Sequence, residues 1–285
     1  MSYVVTAASG QLGRLVVTAL LERGIPAGDI VATARDVTSI QDLAGLGARV
    51  RGLDYADAAS IDGAFAAGDR VLLISGTAFG ERVAQHGNVI RAAAAAGVGL
   101  LAYTSAPYAD STSMLLAAEH RGTEEVLVAS GVPYTLLRNG WYTENFATTV
   151  AEALETGEIV RATGGLISAA ARADYAEAAA AVLAGPGHEG STYELGGAPG
   201  FTLPELSDEL SRVAGRAIAF REISVGELEQ ILLEAGLPAP VAATVADVDR
   251  AITEGELAID SGDLSRLIGR ATTPWQQAVA AFLPA

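Results

Sequence analysis

Tyr3-Val4-Val5-Thr6-Ala7-Ala8-Ser9-Gly10-Gln11-Leu12-Gly13 opens the chain with a short apolar run, a turn of small residues and the first positions of a helical stripe. The apolar run predicts a buried strand over residues 3–6. Leu12, Leu15, Val16, Ala19 and Leu20 then recur at helical spacing, which predicts a helix over residues 12–23 with Gly24 as its stop. A strand-to-helix turn aims unpaired N–H groups and the positive end of a helix dipole at whatever lies before it, and a pyrophosphate suits that position without any lysine. Ala7, Ala8, Ser9, Gly10, Gln11, Leu12 and Gly13 are therefore candidate dinucleotide-binding residues, Gly10 admitting a phosphate to the backbone and Gly13 letting the helix close on the sheet. The spacing is GxxGxxG with Ala7 in place of the first glycine, a departure that predicts a different turn or weaker binding. An ordinary strand-turn-helix would also take small residues here.

The same alternation continues outward. Residues 30–34, 48–52, 71–75, 100–104 and 134–137 read as further short strands, separated by helical stretches such as 81–96, which ends at Gly97. This is an α/β pattern, and right-handed crossovers turn it into a Rossmann doubly wound parallel sheet. Past about Thr143 the alternation loosens. Helices over 203–214 and 225–235, with Thr202 and Ser224 as N-caps, surround strands near 192–195 and 217–223. The division predicted is a dinucleotide-binding Rossmann domain over residues 1–142 and a smaller α/β substrate lobe over 143–285, some of whose segments return to the Rossmann sheet.

Composition limits the chemistry. The 285 residues contain no cysteine and three separated histidines, His86, His120 and His188, which argues against thiolate chemistry and offers no metal-binding spacing. A formal net charge of −16 disfavours a nucleic-acid partner. Apolar runs are too short for a membrane span, and the N-terminus reads as a core strand, not a signal, so a cytoplasmic location is expected. All 18 basic residues are arginine, which excludes any mechanism that needs lysine.

The end of the second strand discriminates between cofactors. Val31-Ala32-Thr33-Ala34-Arg35-Asp36 puts Arg35 where a guanidinium would meet the 2′-phosphate of NADP, so NADPH is favoured; the competing reading makes Arg35 a surface residue and Asp36 the ribose ligand. Asp54, after the third strand, is either an adenine contact or a helix cap. Asn139-Gly140-Trp141-Tyr142 joins an amide, a flexible glycine and two amphipathic aromatics just past a strand, suited either to a flat ring or to sealing an interdomain core.

With these residues placed, the chain resembles the NmrA-like branch of the atypical short-chain dehydrogenases, and within it the bacterial NADPH:quinone oxidoreductases of type two. The resemblance is carried by residues 6–13, 54–57, 72–75, 102–105, 118–120, 134–145 and 172–176. It implies hydride transfer from NADPH to a quinone or related conjugated acceptor without flavin or metal, in a cleft between a Rossmann domain and a small C-terminal domain, and possible homodimers. Carried over by position, it places Ser75, Gly76 and Thr77 beside the nicotinamide half, joined by Asn139, Gly140, Trp141, Tyr142 and Glu144. Tyr103, Thr104 and Ser105 end the fifth strand, where they either line the cleft or pack inside it.

The Tyr-x-x-x-Lys pair that protonates an alkoxide in standard short-chain dehydrogenases is impossible here, and its mimic, Tyr134 with Arg138, falls on a strand. Quinone reduction tolerates the loss because its product anion is phenolate-like, with a conjugate acid near pKa 10 as for a phenol. His120 and Tyr142 are the candidate proton donors, with His120 also readable as a solvated helix residue. The alternative function is an NAD(P)-binding redox sensor of the NmrA type, which needs the same turn and no catalysis.

Overall fold

Seven parallel strands in the order β3-β2-β1-β4-β5-β6-β8 form the central layer of the computed structural model, which describes residues 1–283. They are β1 (Tyr3–Val5), β2 (Ile30–Ala34), β3 (Arg49–Gly52), β4 (Arg70–Leu73), β5 (Leu100–Ser105), β6 (Tyr134–Asn139) and β8 (Ser191–Leu195). The helices α1 (Gln11–Glu22), α2 (Gln41–Gly45), α3 (Ala58–Ile61), α4 (Arg82–Ala96) and α5 (Ala117–Ala129) connect the first six strands. Strand order reverses at β1, which pairs with β2 on one side and β4 on the other. That reversal opens a crevice beyond the carboxyl ends of β1 and β4, where ligands of doubly wound sheets sit.

After β6 the chain forms α6 (Ala147–Thr156), β7 (Glu158–Arg161) and α7 (Arg172–Ala184) before entering β8. It then continues through α8 (Leu203–Ala214), β9 (Ala219–Glu222), α9 (Val225–Glu234), α10 (Ala239–Thr253), α11 (Asp263–Ile268) and α12 (Trp275–Ala280). The strand near 192–195, one of two strands placed after Thr143 in the sequence, is β8 and pairs with β6 at the edge of the large sheet. Strands β7 and β9 pair as a separate two-stranded sheet. Thr202 and Ser224 cap α8 and α9 with reciprocal capping boxes to Glu205 and Glu227.

Two packing arrangements position the crevice. Helix α7 lies along α1 on one face of the sheet, and its small residues Ala178, Ala179 and Ala180 are at most 1% exposed, so the two helices approach closely. On α1, Val16, Val17 and Leu20 are buried, whereas Leu15, assigned to the stripe from sequence, is only partly so. A second core is built on Phe146, Ile167, Phe201 and Trp275, with Phe201 stacked on Trp275 at 4.6 Å between ring centroids.

The β1–α1 turn shows what Ala7 does. It takes a left-handed backbone at φ +48°, which a glycine adopts freely and an alanine adopts at about 1 kcal/mol. The Ala7 carbonyl accepts the Gly10 N–H at 3.0 Å and the Ala8 N–H bonds the Thr33 carbonyl at 2.7 Å, so the turn closes with alanine in the glycine conformation. Gly13 is the position with no room: a Cβ there would lie 2.7 Å from Ala8 Cα and 2.8 Å from the Ala7 oxygen, while one at Gly10 would meet only the Ala7 oxygen at 3.3 Å. Thermal unfolding of variants should rank them accordingly. Gly13→Ala is expected to lose about 1–3 kcal/mol through overpacking, and Ala7→Gly to change stability by less than about 1 kcal/mol, because relief of the left-handed strain offsets a looser unfolded chain.

Candidate functional site

The crevice is a cleft of about 640 Å³ lined by residues from seven stretches of the chain. Its floor is the β1–α1 turn. No side chain caps α1, whose N-cap is Gly10, so the N–H groups of its first turn face the cleft without a protein partner from that cap. One end is formed by Arg35, Leu53, Asp54, Tyr55 and Ala56, the near wall by residues 74–78 with Arg82 and Gln85, and the other end by Tyr142 and Arg172.

At the first end the two competing acidic readings separate. Asp36 turns away to its own backbone, accepting Thr38 N–H at 2.8 Å and the Thr38 hydroxyl at 2.7 Å, and these bonds hold its carboxyl below the ordinary value. Arg35 remains exposed on the cleft, with neither a carboxylate nor a hydrogen-bond partner among the described residues. The cap of α3 is Asp57, which accepts Ala59 N–H at 3.0 Å, whereas Asp54 lies in the cleft with its carboxylate accepting Ala56 N–H at 3.0 Å.

The near wall is fixed from behind. Tyr55 donates its hydroxyl to the Ile74 carbonyl at 2.9 Å and touches Thr6 Oγ1. Ser75 N–H donates to Thr104 Oγ1 at 2.9 Å. Gly76 donates its N–H to His86 Nε2 at 3.0 Å, and its carbonyl accepts Arg82 Nε at 2.8 Å. Arg82 is 5% exposed, and its Nη1 has no hydrogen-bond partner; a carboxylate oxygen of Glu119 lies 3.7 Å from it. Burial and the Arg82 charge push His86 down to about 3, so the imidazole is neutral and Nε2 is free to accept.

At the far end Tyr142 stands between Tyr175, edge-on at 5.1 Å, and the Arg172 guanidinium, 4.9 Å from its ring centroid. Its hydroxyl accepts Asn139 Nδ2 at 3.2 Å, and burial raises the phenol above its usual value. Arg172 also donates to the Gln11 side-chain oxygen, and its backbone N–H donates to both carboxylate oxygens of Glu144 at 2.9 and 3.0 Å.

The cleft thus brings together Ala7, Ser9, Gly10, Gln11, Leu12, Gly13, Arg35, Asp54, Ser75, Gly76, Thr77 and Tyr142. Ala8 is buried beneath the turn, and Thr104, Asn139 and Glu144 stand one layer behind, each bonded to a residue that lines it. Ser105 is buried with its hydroxyl unpartnered. Trp141 packs on the second core, and Gly140 is a packing glycine, not a flexible one: a Cβ would lie 2.8 Å from the Leu195 carbonyl and 3.1 Å from the Tyr175 hydroxyl. His120 is not a solvated helix residue. It is 7% exposed, bonded through Nδ1 to the Tyr103 hydroxyl at 2.8 Å, and held down to about 3 by burial and by Arg82 and His86. Neither His120 nor the fully buried Tyr103 lines the cleft. Leu53, Tyr55, Ala56, Ile74, Ala78, Arg82, Gln85 and Arg172 line it without having been singled out in the sequence. Of these Tyr55 and Ala56, Ile74 and Arg172 carried a signal, as members of the segments 54–57, 72–75 and 172–176.

Residues 7–186 match the NAD(P)H-binding family. The chain is 44% identical over 277 residues to quinone oxidoreductase 2 of Escherichia coli (strain K12), covering 97% of this chain and 96% of that protein. In structure it is similar to the NADPH-dependent quinone oxidoreductase of Escherichia coli complexed with NADPH, with a TM-score of 0.94, 43% identity and 99% of each chain covered. It is also similar to the triphenylmethane reductase of Citrobacter sp. complexed with NADP(H), with a TM-score of 0.90 and 37% identity over 99% of this chain and all of that one (100%). The glycine-spaced turn, the cleft at the reversal of strand order and these similarities over nearly the whole length lead to one assignment: the chain belongs to the NAD(P)H-binding family.

Proposed function

We propose that this protein is an NADPH:quinone oxidoreductase that transfers hydride directly to the acceptor, with no flavin. The observation that carries the reading is the continuous cleft from the unpaired Arg35, past the uncapped first turn of α1, to the aromatic end at Tyr142. It occurs in a chain 44% identical to a quinone oxidoreductase over 97% of its length. The residues fit the cofactor on their own terms: Gly13 leaves no space that a side chain could fill, Arg35 has no competing carboxylate among the described residues, and no side chain caps the first turn of α1.

NADPH, when bound, supplies the hydride. The chain contributes position and charge. Arg35 holds the 2′-phosphate, the N–H groups at the start of α1 hold the pyrophosphate, and residues 75–77 with Tyr142 orient the nicotinamide half and the acceptor ring. The acceptor needs only a weak acid, since its reduced anion is phenolate-like. Tyr142 suits that role better than His120, because its phenol is neutral and lies in the cleft with its oxygen oriented by Asn139. A cytoplasmic setting belongs to the same proposal, since the cysteine-free chain draws on NADPH and none of its described helices is long and apolar enough to cross a membrane.

The founding experiment follows nicotinamide absorbance for purified protein with NADPH or NADH, with a simple quinone and without added flavin. Quinone-dependent NADPH oxidation is expected; tight nucleotide binding with no acceptor-dependent oxidation would instead favour a redox sensor. Arg35→Ala should raise the Kd for NADPH about tenfold to a hundredfold, the range for losing charge-assisted hydrogen bonds, and leave NADH nearly unchanged. Equal losses for both nucleotides would remove Arg35 from the 2′-phosphate site.

The pH profile tests the proton donor. An imidazole held at about 3 stays neutral at and above pH 5, so kcat/KM should show no inflection in the histidine range. Tyr142→Phe should lower kcat by about tenfold or more. A limb near pH 6.5 that disappears in His120→Asn would return the role to His120.

A further inference from the structure

We propose that Arg172 is a latch on the dinucleotide pyrophosphate, and that Gln11 is its neutral placeholder when the cleft is open. The inference rests on the dinucleotide reading of the cleft and adds to it a second phosphate cation, on the opposite lip from the glycine turn.

Arg172 begins α7, and Gln11 begins α1, so their side-chain hydrogen bond crosses the cleft between the two helices that border this end of it. A dinucleotide on the α1 N-terminus must pass beneath that bond or replace it. The guanidinium is oriented on three sides: the Tyr142 ring lies 4.9 Å away, the Gln11 amide accepts one Nη1 hydrogen, and the backbone of Arg172 is anchored by Glu144. None of these contacts neutralises it. Glu144, the carboxylate bonded to this residue, places both oxygens on the Arg172 backbone N–H and not on its side chain, and the guanidinium makes no ion pair among the described residues. In a chain of net charge −16 without lysine, a cation kept un-neutralised and aimed across the uncapped first turn of α1 is suited to an anion held there. Exchanging the neutral amide oxygen of Gln11 for an anionic phosphate oxygen gives the ionised guanidinium an ionised acceptor, which it can also grip with two parallel N–H bonds. The exchange needs little movement, because the amide already sits at the turn.

Stopped-flow displacement of bound nucleotide, read by nicotinamide fluorescence, tests the latch without turnover. In Arg172→Gln the dissociation rate and Kd should rise about tenfold or more, by the same factor for NADPH and NADH, because the pyrophosphate is common to both. Arg172→Lys should recover part of the loss by keeping the charge. Circular dichroism and melting curves establish that each variant is folded; should Arg172→Gln not fold, Arg172→Lys carries the test through a dissociation rate intermediate in its salt dependence. Unchanged dissociation in folded Arg172 variants, with an elevated KM for quinone instead, would overturn the latch and assign the residue to the acceptor. Failure of the wild-type protein to bind either nucleotide would overturn the dinucleotide reading itself, a result separable from failure of the latch alone.

Discussion

The contact on which the site depends is the approach of α1 to the end of β1, where Gly13 sits so close to the backbone of Ala7 and Ala8 that no side chain fits between them. That approach brings the first turn of α1 over the reversal point of the sheet and leaves its N–H groups facing the crevice. It also fixes where α7 can lie. Ala178, Ala179 and Ala180 let α7 settle against α1, and the N-terminus of α7 then arrives at the same end of the cleft, carrying Arg172 to within reach of Gln11. A helix displaced outward by one methyl group at Gly13 would open the turn and separate the two lips together.

The chain solves a charge problem with one kind of cation. Arg138 is buried among Glu124, Glu194 and Asp110, and Arg161 is bound to the fully buried Asp249, so both cations are taken up by ion pairs within the protein. Arg35 and Arg172 are at opposite ends of the cleft and lack carboxylate partners among the described residues. The separation matters because an ion pair formed in the open cleft would have to be broken by an incoming phosphate. Asp36 and Glu144, the acids nearest in sequence or space, are both diverted to backbone N–H groups, which keeps the two cations available.

Most of the central layer was legible in the sequence because strands such as β1, β2, β4 and β5 are short apolar runs whose signal lies within a few residues. The turn at residues 7–13 and Arg35 were legible for the same reason: their role follows from the place of a residue relative to one strand. Arg82 and Tyr55 were not, since they reach the cleft only through the packing of α4 and of the loop after β3 on the end of β4, contacts that no local window contains. Gly140 was misread as flexible because its tight fit comes from Leu195 and Tyr175, far away along the chain. The burial of His120 was hidden because it has charged neighbours on either side, Glu119 and Arg121, which suit both a proton donor and a solvated residue; the face that carries His120 turns inward to Tyr103. The four-residue strand β7 was missed because Glu158-Ile159-Val160-Arg161 has only two apolar positions, and it is defined by its partner β9.

The wall formed by residues 74–78 shows why the buried histidine and arginine on α4 occur together. Gly76 presents both its polar backbone groups to that helix, the N–H to His86 and the carbonyl to Arg82, so its orientation is set from two directions. Accepting the Gly76 N–H requires a bare Nε2, which puts the imidazole proton on Nδ1 facing Thr123 Oγ1 at 3.1 Å; the threonine hydroxyl in turn donates to the Glu119 carbonyl at 2.9 Å. A protonated His86 would lose the acceptor, and the cation of Arg82, one turn earlier, adds to burial in keeping it neutral. Lysine could not replace Arg82 in this arrangement. The guanidinium holds Gly76 with Nε while Nη1 remains buried and unpartnered, a division between two nitrogens that a single ammonium cannot make. The histidine therefore holds the wall in place from one side, and the arginine holds it from the other while its Nη1 faces the Glu119 carboxylate.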